Sequence, residues 1–136
     1  MDKIENGKDT EFPGGHIVKY NRDEAFRFIF DRPLSGFFSI IRVNNLENKS
    51  RNGAMSVLDI SAGGLKFQSN LDLPEQADLE LLLTFIINAD EIDLRGRILW
   101  KKKSGSAYMY GFIMNENESL KETIIKELKI YRKNNQ

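Results

Sequence analysis

Apolar residues recur along this chain with two spacings. Between residues 28 and 114 they mostly alternate with polar ones, the period of a half-buried strand; beyond residue 118 they return every third or fourth position, the period of a helix. Phe28 and Phe30 alternate with Arg27 and Ile29 and open a β segment that Pro33 stops or bends. Residues 37–43 read as a strand with Phe37, Ser39, Ile41 and Val43 on one face and Phe38, Ile40 and Arg42 on the other. Both faces are apolar, so this strand is expected between the core and a covering element. Segments 54–60 and 65–69 flank the pair Gly63-Gly64. Segment 77–87 aligns Leu79, Leu81, Leu83, Phe85 and Ile87, and segment 91–103 aligns Ile92, Leu94, Gly96, Ile98 and Trp100. Tyr108, Tyr110, Phe112 and Met114 share a face of the last strand, and Gly96 marks a bulge or a sharp bend. Trp100 belongs to the core or to its rim on this pattern.

The helical stretch is residues 118–133. Leu120, Ile124, Leu128 and Tyr131 form its stripe and Ile125 widens it. Asn117 or Ser119 can cap it, and Ser119 with Glu122 matches a capping box. Lys126, Lys129, Arg132 and Lys133 complement the negative end of the helix dipole. The helix is expected to seal an open face or mouth of the β structure. Residues 1–18 are polar, charged and rich in breakers, and are expected to form a flexible N-terminal segment. His16 lies there and reads as exposed and incidental.

Composition narrows the function. A chain of 136 residues, 40% hydrophobic and 29% charged, fits one globular domain with a real core. Lys plus Arg and Asp plus Glu both number 20, so the net charge of zero argues against a general nucleic-acid binder, which needs a basic surface. With no cysteine and one histidine there is no disulfide framework, no thiolate metal site and no histidine cluster. No carboxylates fall into an acid/base or metal-ligand spacing, so neither catalytic nor metal-binding residues are expected and the chain does not read as an enzyme. The start of the chain is charged and lacks an apolar signal core, and the run 79–87 is too short to span a bilayer. A cytoplasmic protein, monomeric or weakly dimeric, is expected. The run Lys101-Lys102-Lys103 reads as a solvated strand end.

Candidate chemistry gathers at the hairpin over residues 57–67. Gly63 and Gly64 suit a tight turn with φ > 0. Asp59 and Ser61 stand beside it. Two readings of this group stand together. In one, Asp59 accepts hydrogen bonds from a guanine, Ser61 donates or accepts, and Gly64 leaves room for the ligand. In the other, Asp and Ser merely stabilise the turn that the glycines close.

The pattern Asp59-x-Ser61-x-x-Gly64 resembles the D/N-x-S-x-x-G motif of the PilZ domain, a bacterial β-barrel that commonly binds cyclic di-GMP. The likeness extends from about residue 19 to the end of the chain. Leu94-x-Gly96-x-Ile98-x-Trp100 and Tyr110-Gly111-Phe112 resemble the closing strands of such barrels, and Arg22 to Arg27 resembles their arginine-bearing arm. The family arm reads R-x-x-x-R. Arg27 matches its second arginine, Asp23 stands at the position of the first, and Arg22 corresponds to the additional arginine that often precedes it. The motif is therefore degenerate.

The resemblance implies an antiparallel barrel of about six strands in residues 19–136, with a flexible N-terminal arm and a C-terminal helix at 118–133. It implies cyclic di-GMP as the ligand, bound by Arg22, Arg27, Asp59, Ser61, Gly63 and Gly64, with Arg95 and Arg97 as additional candidates and no cofactor required. The arginines would hold phosphates and stack on bases, which suits a planar, bidentate guanidinium. Ligand binding would order the arm and change the surface offered to a protein partner in motility, attachment or biofilm-type signalling. A carboxylate at residue 23 removes one charge-assisted hydrogen bond, about 1.5–3 kcal/mol, or roughly ten- to a hundredfold in affinity. The alternative is a degenerate PilZ domain that binds no nucleotide and serves as a protein–protein interaction module.

Overall fold

The computed structural model describes residues 8–12, 14–19, 27–48, 52–61, 63–75 and 77–135. Among these residues nine strands precede one helix: β1 (Lys8–Phe12), β2 (Gly15–Lys19), β3 (Arg27–Val43), β4 (Leu46–Glu47), β5 (Gly53–Ser61), β6 (Gly64–Ser69), β7 (Leu79–Ile86), β8 (Glu91–Ser104), β9 (Ala107–Met114) and α1 (Glu118–Asn134). All pairings are antiparallel. The order β3-β5-β6-β9-β8-β7 returns to β3 through a β3–β7 pairing, so six strands close into a ring. Closure gives each of the six a partner on both sides, which removes the main aggregation hazard of an open sheet.

The 17-residue β3 makes the closure. Residues 27–38 pair with β5 on one side, and residues 36–43 pair with β7. Pro33 does not end the strand. It lies in the stretch between Ile29 and Leu34 where the β3–β5 register slips, a place where a missing N–H costs no ladder bond. Residues 8–12 and 15–19 pair as the β1–β2 hairpin, and β2 adds to the start of β3. The hairpin turn holds Gly14 at φ 91°, the left-handed region that glycine enters without penalty. A Cβ there would lie 2.9 Å from the ring of Tyr131, so the turn rests on the end of α1.

The inward faces follow the alternation. Leu79, Leu81, Leu83, Phe85, Ile92, Leu94, Tyr110, Phe112 and Met114 are buried in one continuous core. Phe67 stacks on Tyr110 at 5.0 Å and meets Phe38 at 5.9 Å. Such pairs add about 0.5–1.5 kcal/mol each beyond area burial. Among the described residues no element covers Phe37, which is 55% exposed, so the covering expected over β3 is not found there.

Helix α1 is capped by Asn117, whose side chain accepts from the Leu120 N–H at 3.0 Å. Ser119 lies inside the helix, where its carbonyl accepts from Thr123 Oγ1, so the alternative cap is not used. Ile124 and Leu128 join the core, and Tyr131 meets Phe28 and Phe30 edge-on at 6.0 and 5.4 Å. Asn88 donates to the Glu127 carbonyl at 2.8 Å and ties the β7–β8 turn to the helix. The helix thus seats against the end of the ring formed by the start of β3 and the β7–β8 turn.

A second pin holds the connector between β6 and β7. The Tyr110 hydroxyl donates to the Leu71 carbonyl at 2.7 Å and accepts from the Leu73 N–H at 2.8 Å. Lys101 donates to the Leu73 carbonyl, pairs with Asp72 and lies over the Tyr108 ring. Burial pushes the Tyr110 hydroxyl above the usual phenol range, against the opposing pull of the Leu73 hydrogen bond and the Lys101 charge.

Candidate functional site

Two bulges create the candidate site. In the β5–β6 ladder, Val57 faces Phe67 and Asp59 faces Lys66, so two residues advance on β5 while one advances on β6. Leu58 is the extra residue. Strict alternation would have carried Asp59 to the same side as the core residue Val57, as an ionisable group with no water. The bulge turns it outward beside Lys66. In the β8–β9 ladder, Ile98 faces Phe112 and Trp100 faces Gly111, with Leu99 as the extra residue. Trp100 therefore leaves the inward row of Ile92 and Leu94 and stands 41% exposed, neither in the core nor following the predicted face. Gly96 itself carries no register slip. A Cβ on it would lie 2.0 Å from the Ile113 carbonyl, so glycine serves a close strand approach there.

The pairing then lays out one patch on the outer face of the ring. Arg27 faces Ser61, Ser61 faces Gly64, and Gly64 faces Ile113; in the next row Asp59 faces Lys66, Lys66 faces Gly111, and Gly111 faces Trp100. Together these residues line a shallow depression of about 260 Å³, to which Gly63 and Leu99 also contribute. Leu99, Trp100 and Ile113 give it an exposed apolar margin.

At its centre Asp59 is only 2% exposed. Two cations cover it from different sides. Arg27 Nε lies 3.7 Å from Oδ1 and Lys66 Nζ lies 3.4 Å from Oδ2. Arg27 reaches Asp59 diagonally across the β3–β5 ladder and Lys66 reaches it directly across β5–β6, both favourable cross-strand placements. The carboxylate is therefore screened from water by side chains that are themselves half in solvent, not by the core.

The hairpin differs from the expectation in one respect. Neither Gly63 nor Gly64 adopts a left-handed φ. Gly64 is required by space: a Cβ would stand 2.0 Å from the Phe112 carbonyl of β9. The room it leaves is filled by the neighbouring strand. Gly63 has nothing within 4 Å of a built Cβ and is open, and its carbonyl accepts from the Met114 N–H at 2.8 Å. Ser61 donates to the Gly64 carbonyl at 3.2 Å and so helps to close the turn.

Of the residues singled out in the sequence, Arg27, Asp59, Ser61, Gly63 and Gly64 meet in this depression. Arg22 lies outside the described residues, as does Asp23. Arg97 lies on the same transverse row, opposite Ile113, but pairs with Asp78. Arg95 is exposed and does not line the depression. Sequence reasoning missed Lys66 and the outward turn of Trp100. Lys66 was legible as the polar member of Leu65-Lys66-Phe67; its closeness to Asp59 depended on the bulge. Among the described residues there is no group of three or more acidic or histidine side chains that could hold a metal ion, and no helix is long and apolar enough to cross a membrane.

A search of curated proteins finds no match to this chain. The family model of the PilZ domain matches residues 21–129, which include the whole of the ring, its bulged hairpin and most of α1. With the match spanning most of the sequence and the closed antiparallel ring beneath it, this chain belongs to the PilZ domain family.

Proposed function

We propose that this protein is a cyclic di-GMP receptor in which the depression around Asp59 holds one guanine and the arm before β3 covers the rest of the ligand. PilZ domains are a family associated with cyclic di-GMP binding and effector roles. The observation that carries the reading for this chain is Asp59, an outward-turned carboxylate nearly closed to water and capped by two cationic side chains that are themselves partly exposed.

A guanine edge donates from its ring N–H and its exocyclic amine, and a carboxylate accepts both. Ion pairs at 3.4 and 3.7 Å are looser than charge-assisted hydrogen bonds at about 2.7–2.9 Å. The longer of them, from Arg27, is a contact that a better-fitting partner can displace. Arg27, released from Asp59, is free to pair with a phosphate and to stack on a base. Ser61 and the open Gly63 backbone supply further polar contacts. At about 260 Å³ the depression is below the roughly 300–1,000 Å³ of pockets that enclose a small molecule. It fits part of a dinucleotide, leaving Arg22 and its neighbours to close over the remainder. Arg95 and Arg97 are not needed in this reading.

Binding would then act on the start of β3, where Arg27 faces the ligand and the next residue, Phe28, faces Tyr131 of α1. That link offers a route from the ligand to the surface presented to a protein partner. Calorimetric titration of cyclic di-GMP into the wild type, Arg27→Ala and Asp23→Arg tests the proposal. Saturable heat is expected in the wild type, with affinity at least about tenfold lower in Arg27→Ala and about tenfold or more higher in Asp23→Arg. No heat in the wild type, but binding by Asp23→Arg, would favour the interaction module that has lost its nucleotide.

A further inference from the structure

The proposed function leaves Lys66 without a role. It belongs to neither motif, yet it lines the depression and covers the second oxygen of Asp59. We propose that Lys66 is the resident counter-ion of Asp59, a positioning residue that keeps this carboxylate neutralised while Arg27 leaves it for a ligand phosphate. The proposal rests on the reading of the depression as a cyclic dinucleotide site.

The two cations are not equivalent. Arg27 holds Oδ1 and Lys66 holds Oδ2, so either can depart without breaking the other contact. Arg27 is the first residue of β3, and its side chain is 45% exposed. Lys66 is in the middle of β6, paired with Asp59 on one side and Gly111 on the other, and its side chain is 32% exposed. Its backbone is fixed within the closed ring. The chemistry divides the same way. A guanidinium binds phosphate bidentately and stacks on bases, whereas an ammonium acts as a compact point charge. The arginine gains more by moving to the ligand, and the lysine suffices to stay.

Lys66 also removes an energetic obstacle. Breaking a buried ion pair by taking away one partner leaves an uncompensated charge. With Lys66 in place, Arg27 can leave Asp59 without that penalty. With Lys66 deleted, Asp59 would hold Arg27 as its one remaining cation among the described residues, and ligand would have to compete for it.

Cyclic di-GMP titrated into the wild type, Lys66→Met and Lys66→Arg, read by the fluorescence of Trp100, the single tryptophan, tests this. Lys66→Met is expected to bind about tenfold more weakly, with its melting temperature within about 3 °C of wild type because Arg27 still covers Asp59 in the free protein. Lys66→Arg, which keeps the charge, is expected to bind within about threefold of wild type. In an Asp59→Asn background the loss caused by Lys66→Met should vanish. A loss that persists there would make Lys66 a direct phosphate ligand and overturn the positioning role, as would Lys66→Met binding as tightly as wild type. A ligand-free measurement separates the two readings. Arg27→Ala and Lys66→Met together should lower the melting temperature by more than the sum of their separate effects, since each alone leaves Asp59 a partner. Additive melting shifts would overturn the shared counter-ion. A wild type that binds no cyclic di-GMP, with non-additive melting, would instead overturn the dinucleotide reading and reduce Lys66 to a structural ion pair.

Discussion

Asp59 and Tyr110 are both polar side chains shut away from water, at 2% and 0% exposure, and they are held in opposite ways. The Tyr110 hydroxyl points inward and makes two short hydrogen bonds, at 2.7 and 2.8 Å, to backbone groups of one connector. Its partners are fixed in the chain and its geometry leaves nothing to exchange. Asp59 points outward and is covered by two partly exposed cations at longer range, 3.4 and 3.7 Å. One is a pin; the other, on the proposed reading, is a socket that Arg27 vacates and Lys66 keeps. The contrast teaches that burial alone does not mark a site; what distinguishes the two groups is whether the partner can be replaced from solution.

Substitution at each position should separate stability from binding. Asp59→Ala is expected to reduce affinity for cyclic di-GMP by about a hundredfold, since roughly 3 kcal/mol of charged hydrogen bonding is lost. Its melting temperature should move by only a few degrees, because removing the carboxylate also removes its desolvation cost. Calorimetry paired with thermal melts checks both halves, and a collapse of the fold would make Asp59 a pin like Tyr110.

Tyr110→Phe should do the reverse. It leaves the Leu73 N–H and the Leu71 carbonyl without their partner, a cost of about 1–3 kcal/mol, seen as a fall of roughly 3–10 °C in melting temperature. Affinity for the ligand should stay within about twofold. A Tyr110→Phe protein that melts like wild type but binds poorly would erase the contrast.

The smallest effect is in alkaline solution. The folded Tyr110 hydroxyl titrates above its ordinary value of 10.0 because burial disfavours the phenolate. In the unfolded chain it loses its proton first, so its contribution is intact below about pH 10 and is lost as pH rises through the folded value. Wild type should therefore lose stability in denaturant melts above pH 10 more steeply than Tyr110→Phe. Parallel curves would mean that the hydroxyl is not protected.

Much of this arrangement was legible in the sequence, and the part that was not has a physical cause. Alternation found the inward rows of β7 and β9 because the extra residues in their ladders lie on the partner strands, Ile41 of β3 and Leu99 of β8, so β7 and β9 themselves stay in step. The helical stripe found Ile124 and Leu128 because a single helix needs no partner to define its period. Alternation failed at Leu58 and Leu99, where one extra residue reverses the face of everything that follows. By simple period Trp100 belongs with Ile98 and Asp59 with Val57, and the ladders put both elsewhere. The motif nevertheless singled out two residues that meet in one depression, Asp59 and Ser61, since it records their spacing without needing their direction. Gly64 was identified with the wrong reason. Its missing Cβ makes room for the Phe112 carbonyl, a neighbour 48 positions along the chain that no local pattern reveals. Lys66 escaped for the same kind of reason, because a lysine at an outward strand position is unremarkable until the bulge puts Asp59 opposite.

The most direct test of the account is a comparison of two ligands on one protein. Cyclic di-GMP and cyclic di-AMP carry the same two phosphates, but an adenine edge lacks the paired donors that a carboxylate accepts from guanine. Calorimetric titration of both into the wild type should give saturable binding of the guanine dinucleotide and at least about a hundredfold weaker binding of the adenine one. Equal affinities, or no heat with either, would contradict a socket built around Asp59.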